Sequence, residues 1–264
     1  MKKILVFTLA VSLLIPAAAF AKRVKYEAVE VTNGGTISGK VSTTEKVKDP
    51  VISINVKAKE TSEDAELERK TCITIPGGQQ AMMYLVSGAN EVKNVLVTIE
   101  NVKKGKAAPQ KDLEINNYRC RFEPLVGISY VKSKYIIKNS DPLLHNTNFG
   151  KMLKGGVKRA VFNLALPYKD QVIKKKNRVA GLIHVKCDAH PWMRAYVYSS
   201  RHPYVAITDA KGNFEIKDLL PGKYTVKFWH EGFEEVVKEI EVNGGGVSKL
   251  NATFTKTRKP AFMD

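Results

Sequence analysis

Residues 187 to 193 read CDAHPWM, which sets Cys187, His190 and Met193 at intervals of three. A thiolate, an imidazole and a thioether together form a soft donor set that suits copper. Pro191 has no backbone N–H and biases His190 away from the helical region, so the stretch reads as a tight loop. The flanking runs GLIHVKC and MRAYVYS read as strands. A loop joining two strands can aim all three side chains at one point. His184 falls outside that set, because period-two alternation puts positions 184 and 187 on opposite faces of an extended strand. It reads as a packing or surface histidine. A fourth donor must come from elsewhere, and YIIKNSDPLLHNTNF offers His145, preceded by Asn139 and Asp141. Alone, His145 would read as a turn residue; beside CDAHPWM it reads as a ligand. Two histidines, a cysteine and a weak axial methionine are the donors of blue-copper electron-transfer sites. Zinc accepts His and Cys, but structural zinc favours paired cysteines and methionine serves it poorly. Met193 can also be a core residue, with three donors on the metal.

The strands that must position these residues are short runs rich in Val, Ile, Tyr and Thr, bounded by Gly, Pro, Asn or Asp: TISGKVS, VISINVKAK, NVLVTIENV, ISYVKSKYIIKN, NFEIKDL, KYTVKFW and VVKEIEV. Helical periodicity is scarce; the acidic TSEDAELERK and the segment around NFGKMLKGG hold a turn or two each. The expected class is all-β, with a sandwich or barrel as the default.

CDAHPWM resembles the copper-binding loop of the cupredoxins, and is especially similar to the C-x-x-H-P-[FY]-M loop of amicyanin and pseudoazurin. NSDPLLHN looks like the upstream segment of that family, N-x-D-x-x-x-H, with Asn139, Asp141 and His145 at its spacing. The resemblance spans roughly residues 80 to 200. It implies a Greek-key β-sandwich holding one type 1 copper ion through His145, Cys187, His190 and Met193. It also implies that the His190 ring sits near the surface and passes electrons. Asn139, Asp141, Pro191 and Trp192 are then supporting or partner-contact residues, with Trp192 packing over the site.

A second resemblance begins after residue 200. TDAKGNF, LLPGKY and the strands between them are similar to the carboxypeptidase regulatory-like family, through Thr208, Asp209, Gly212, Phe214, Leu220, Pro221, Gly222 and Tyr224. That family implies a small transthyretin-like β-sandwich and says little about chemistry. GGTISGKV looks like the opening strand of such a module, so the two ends of the chain can meet in one sandwich. The expected organisation is a signal peptide over 1–21, an N-terminal β region over 22–79, a cupredoxin-like unit over 80–200, a carboxypeptidase-like unit over 201–256 and a tail over 257–264.

The leader MKKILVFTLAVSLLIPAAAFA has the lysines, apolar run and A-x-A end of a cleaved secretory signal. No later stretch reaches the ~20 apolar residues of a membrane helix. The expected place is therefore the periplasm, the cell surface or the medium of a bacterium. Of three cysteines, Cys72 and Cys120 have no neighbouring His or Met and read as a disulfide, closing a loop of about 50 residues and contributing ~4 kcal/mol. Cys187 is left over, and a metal would occupy it. The formal charge of +17 is spread through turns and strand faces. In an exported protein it points to an acidic partner, such as an exported cytochrome, rather than to nucleic acid. No CxxCH, CxxC, GxSxG or HExxH motif appears, which leaves an enzyme as the least favoured class. The favoured function is single-electron transfer by a type 1 copper protein. The alternatives are a structural or adhesive envelope protein, and a Cu(I) storage or delivery protein.

Overall fold

The computed structural model describes residues 25–54, 56 and 62–259; the leader at 1–21 lies outside them. The chain is mostly β and builds two sandwiches. In the first, one sheet runs Val205–Ile207, Leu96–Ile99, Gly222–His230, Phe233–Val242. The facing sheet runs Asn213–Leu219, Gly35–Thr43, Val247–Lys249, with Ala252–Phe254 also pairing to Gly35–Thr43. Alternation explains most of the filling: Phe214 and Ile216 on one strand and Val226 and Phe228 on another turn inward, with Ile37, Val41, Val97 and Phe254, and a register shift after Ile216 brings Leu219 to the same face.

The expected unit 80–200 divides differently in the sheets. Leu96–Ile99 is hydrogen-bonded to Val205–Ile207 and to Gly222–His230, so this strand completes the first sandwich. The physical reason is burial on both faces. Leu96, Val97, Thr98 and Ile99 are all buried, and only a central strand of a covered sheet satisfies such a run.

The second sandwich packs the sheet Val172–Lys176, Lys134–Asn139, Leu113–Tyr118, Arg121–Glu123 against the sheet Lys158–Leu166, His145–Met152, Gly181–Lys186, Arg194–Ser200, Val126–Tyr130. Its core holds Ile115, Tyr135, Ile137, Phe149, Ile183, Val185 and Cys187. Positions 183, 185 and 187 share that face. His184 turns to the other, where its ring lies 5.2 Å from that of Tyr196.

One α-helix, Glu63–Cys72, stands among the described residues where the sequence predicted only a turn or two. Ser62 caps it by accepting the Ala65 N–H, and Glu63, Asp64 and Glu66 in the first turn with Arg69 and Lys70 in the last complement the helix dipole. Its last residue, Cys72, is joined to Cys120 in the disulfide expected from the sequence.

The two sandwiches meet through Leu96, Tyr196, Val205 and Trp229. A buried ion pair stands beside that cluster: Arg194 Nε and Nη2 donate to the two carboxylate oxygens of Glu231, each at 2.7 Å.

Two buried histidines and one half-buried one are held uncharged. Burial depresses His184 and His230 to about 3, helped by nearby Arg194 and other cations, and burial depresses His202 to about 4. Each folded value lies below the unfolded value of about 6.5, so the unfolded chain takes up protons first as the pH falls. Stability is expected to be full above pH 6.5 and to decline through the window down to 3–4, by about 1.4 kcal/mol per pH unit for each histidine that titrates only when unfolded. Urea unfolding at pH 7 and pH 5 measures this. Equal midpoints and slopes at the two values would contradict it.

Candidate metal centre

The loop 187–193 joins the antiparallel strands Gly181–Lys186 and Arg194–Ser200, whose last pair is Lys186 with Arg194. It is closed by the Cys187 N–H donating to Met193 O at 3.3 Å and the Met193 N–H donating to His190 O at 2.9 Å. His145 opens the neighbouring strand, in which Asn148 pairs with Lys186. That register brings His145 beside the loop although it lies 42 positions before Cys187.

Three donors converge. His145 Nδ1 lies 3.0 Å from His190 Nδ1, which lies 3.7 Å from Cys187 Sγ. Cys187, His190 and His145 are all buried, and one donor atom from each falls within 4.8 Å of the others. Met193 is buried in the same cluster as Cys187. His145 Nε2 sits 2.8 Å from Asp141 Oδ2. A carboxylate accepts, so a His145 proton resides on Nε2, which leaves Nδ1 on the side of His190 and Cys187. Burial disfavours protonated His145, but the Asp141 hydrogen bond and the Cys187 contacts outweigh it and raise the pKa. Burial likewise pushes the Cys187 thiol up, yet hydrogen bonds from His145, His190 and the Asn146 N–H bring it down to about 6. The sulfur is thus a thiolate near neutral pH, the form that binds metal. Two imidazoles, a thiolate and a thioether in a buried pocket fit copper on donor chemistry.

Asn146 organises the loop. Its side-chain oxygen accepts the N–H groups of Asp188 at 2.6 Å and Ala189 at 3.3 Å, while its own N–H points at Cys187 Sγ at 3.5 Å. Its side-chain amide donates to Asp188 Oδ2 at 2.8 Å, and Asn148 and Asn163 donate to the same carboxylate. The ion pair with Lys186 and these amides hold Asp188 at about 2. No motif in the sequence singles out Asn146; its place directly after His145 is the available signal.

Asp141 does more than orient His145. Its carboxylate accepts the N–H of Arg119 at 2.7 Å and of Cys120 at 2.8 Å. Those two residues form the two-residue turn between Leu113–Tyr118 and Arg121–Glu123, with φ of 52° and 53°. Such a turn normally takes Asn-Gly, and a non-glycine side chain there costs on the order of 1 kcal/mol or more. The two hydrogen bonds from Asp141 hold it in place. Asn139 braces the same loop, donating to the carbonyls of Leu143, Leu166 and Tyr168.

One expectation is overturned. His190 does not present a ring edge at the surface: it is 7% exposed. The helix Glu63–Cys72 covers it, with Glu68 Oε1 3.9 Å from His190 Nε2, and a His190 nitrogen lies within 4.8 Å of the Cys72 and Cys120 sulfurs. A helix lying across the loop from more than a hundred residues upstream has no counterpart in the residues that carry the resemblance. Trp192 packs edge-on to His190 with ring centres 5.2 Å apart, while Pro191 is exposed at the loop tip.

The fold and the site define a two-sandwich β protein with a buried His/Cys/Met cluster in one half. The family model described as carboxypeptidase regulatory-like domain matches residues 185–255. In structure the chain is similar to a purple cupredoxin from Nitrosopumilus maritimus, at 22% identity over 34% of this chain and 100% of that one, with a TM-score of 0.28. It is also similar to amicyanin from Paracoccus versutus, at 20% identity over 39% of this chain and 97% of that one, TM-score 0.29. A third similar structure is a copper-containing nitrite reductase from Thermus scotoductus, at 15% identity over 39% of this chain and 25% of that one, TM-score 0.28. No curated protein sequence matches the chain.

Proposed function

We propose that this protein is an exported type 1 copper protein that takes up and passes on single electrons, holding one copper ion through His145, Cys187, His190 and Met193. The observation that carries the reading is the convergence of His145 Nδ1, His190 Nδ1 and Cys187 Sγ in one buried pocket. Copper bound there supplies one-electron exchange between Cu(II) and Cu(I). The chain's part is to keep the donors in place and dry. Asp141 fixes the His145 ring, Asn146 fixes the backbone after Cys187, and the disulfide-anchored helix shields His190 from water. The excess of positive charge, +17 overall, favours docking of an acidic redox protein chiefly through the association rate. Nothing in this reading requires the protein to be an enzyme. The cover over His190 favours one second reading, a Cu(I) storage or delivery protein, because an electron carrier gains from an open imidazole edge.

Titration of the mature protein with Cu(II) tests the proposal. An intense visible thiolate-to-copper band is expected, saturating at one equivalent and bleaching on reduction. Absence of the band while Cys187 remains free by thiol assay would refute the electron-transfer reading and leave the Cu(I) reading.

A further inference from the structure

We propose that the Cys72–Cys120 disulfide is the closed form of a second copper site, opened by a dithiol and selective for Cu(I). One sulfur each from Cys72 and Cys120 and a ring nitrogen of His190 lie within 4.8 Å of one another, all three residues buried. Two thiolates and an imidazole are the soft set that Cu(I) prefers. The Cα atoms of the two cysteines are 5.0 Å apart, a span that two sulfurs at about 2.3 Å from a shared ion bridge without backbone movement.

The chemistry balances with a dithiol as reductant. Its thiolate attacks one sulfur, the Cys72–Cys120 bond breaks, and the mixed disulfide is resolved by the second thiol of the reagent. Two electrons and two protons pass to Cys72 and Cys120, and the reagent leaves as its own disulfide. Cu(I) then displaces the thiol protons and, where His190 already holds the first copper through Nδ1, the remaining proton of that ring, all to solvent.

Access follows from the helix. Of its ten residues only Ala65 and Cys72 are buried, and a helix below the ~12–15 residues of independent stability depends on such packing. Few buried contacts are the mark of a segment that opens locally. The other sulfur stays in position, because Asp141 grips the Cys120 N–H at 2.8 Å. The same Asp141 oxygen accepts from His145 Nε2 at 2.8 Å, so the second site shares its support with the first.

The test counts Cu(I) on the full chain under anaerobic conditions, against the chromogenic chelator bicinchoninate. Disulfide-intact protein is expected to retain one equivalent. Protein reduced with dithiothreitol and freed of the reagent is expected to retain two, and alkylating the reduced one-copper form is expected to block the second. A Cys72→Ser/Cys120→Ser variant is expected to stop at one under both conditions. The alkylation arm decides the matter if that variant folds poorly. A single equivalent on both the intact and the reduced protein would overturn the proposal, as would a second equivalent retained by the double variant. No copper on the intact form with one on the reduced form would instead refute the His145–Cys187 site and leave this one standing.

Discussion

Cys187→Ser is expected to abolish the visible thiolate-to-copper band completely and to weaken copper binding by more than about 100-fold. Loss of a residue that merely orients a ligand costs 10–100-fold, and here a ligand itself is removed. The argument is geometric and electrostatic. Cys187 is 1% exposed, and hydrogen bonds from two imidazoles and a backbone N–H override burial to bring it to about 6. Serine at the same place offers a hard, protonated oxygen that no longer supplies the charge-transfer transition. Its size and its fit to the Asn146 side-chain oxygen, 3.3 Å from the native sulfur, keep the stability change within about 1–2 kcal/mol. Absorption, competition for copper and urea unfolding of the variant check all three points. A surviving band would show that Cys187 is not a ligand.

Glu231→Gln is expected to destabilise the fold by about 3–5 kcal/mol, the cost of stripping one partner from a buried ion pair. The Glu231 side chain is 3% and that of Arg194 4% exposed. Arg194 uses two nitrogens on Glu231, and its Nη2 also donates to the Ala81 carbonyl at 3.0 Å. Glutamine keeps the shape but removes the charge, leaving the guanidinium in a site that water does not reach. Because Arg194 follows Met193 directly, the damage extends to the metal loop. Removing both charges with Arg194→Met and Glu231→Leu together is expected to recover most of the lost stability. Urea denaturation of the single and double variants measures it. A Glu231→Gln cost below ~1 kcal/mol would mean that the pair contributes little to joining the sandwiches.

The legible parts of this protein are those whose meaning is local. A Pro after His190 makes a loop, alternation sends Cys187 inward with Ile183 and Val185, and the donor types select copper; each depends on a few consecutive residues. The disulfide was legible by subtraction, since Cys187 had a role and the other two cysteines had only each other. The Leu96–Ile99 run carried its signal too, in four consecutive positions buried on alternate faces, but a buried run does not name the sheet it enters.

The tertiary structure decided what faces what. Sequence by itself determined the strands, the donor loop and the donor chemistry, because φ/ψ preference, side-chain period and ligand softness are properties of short segments. It could not determine that the helix Glu63–Cys72 lies over His190, that Asp141 serves a turn, a histidine and a cysteine at once, or that Arg194 answers Glu231 across the sandwich boundary. Those contacts join residues as far as Glu68 and His190, more than a hundred positions apart, and their partners are chosen by the burial of two whole sheets rather than by any local preference.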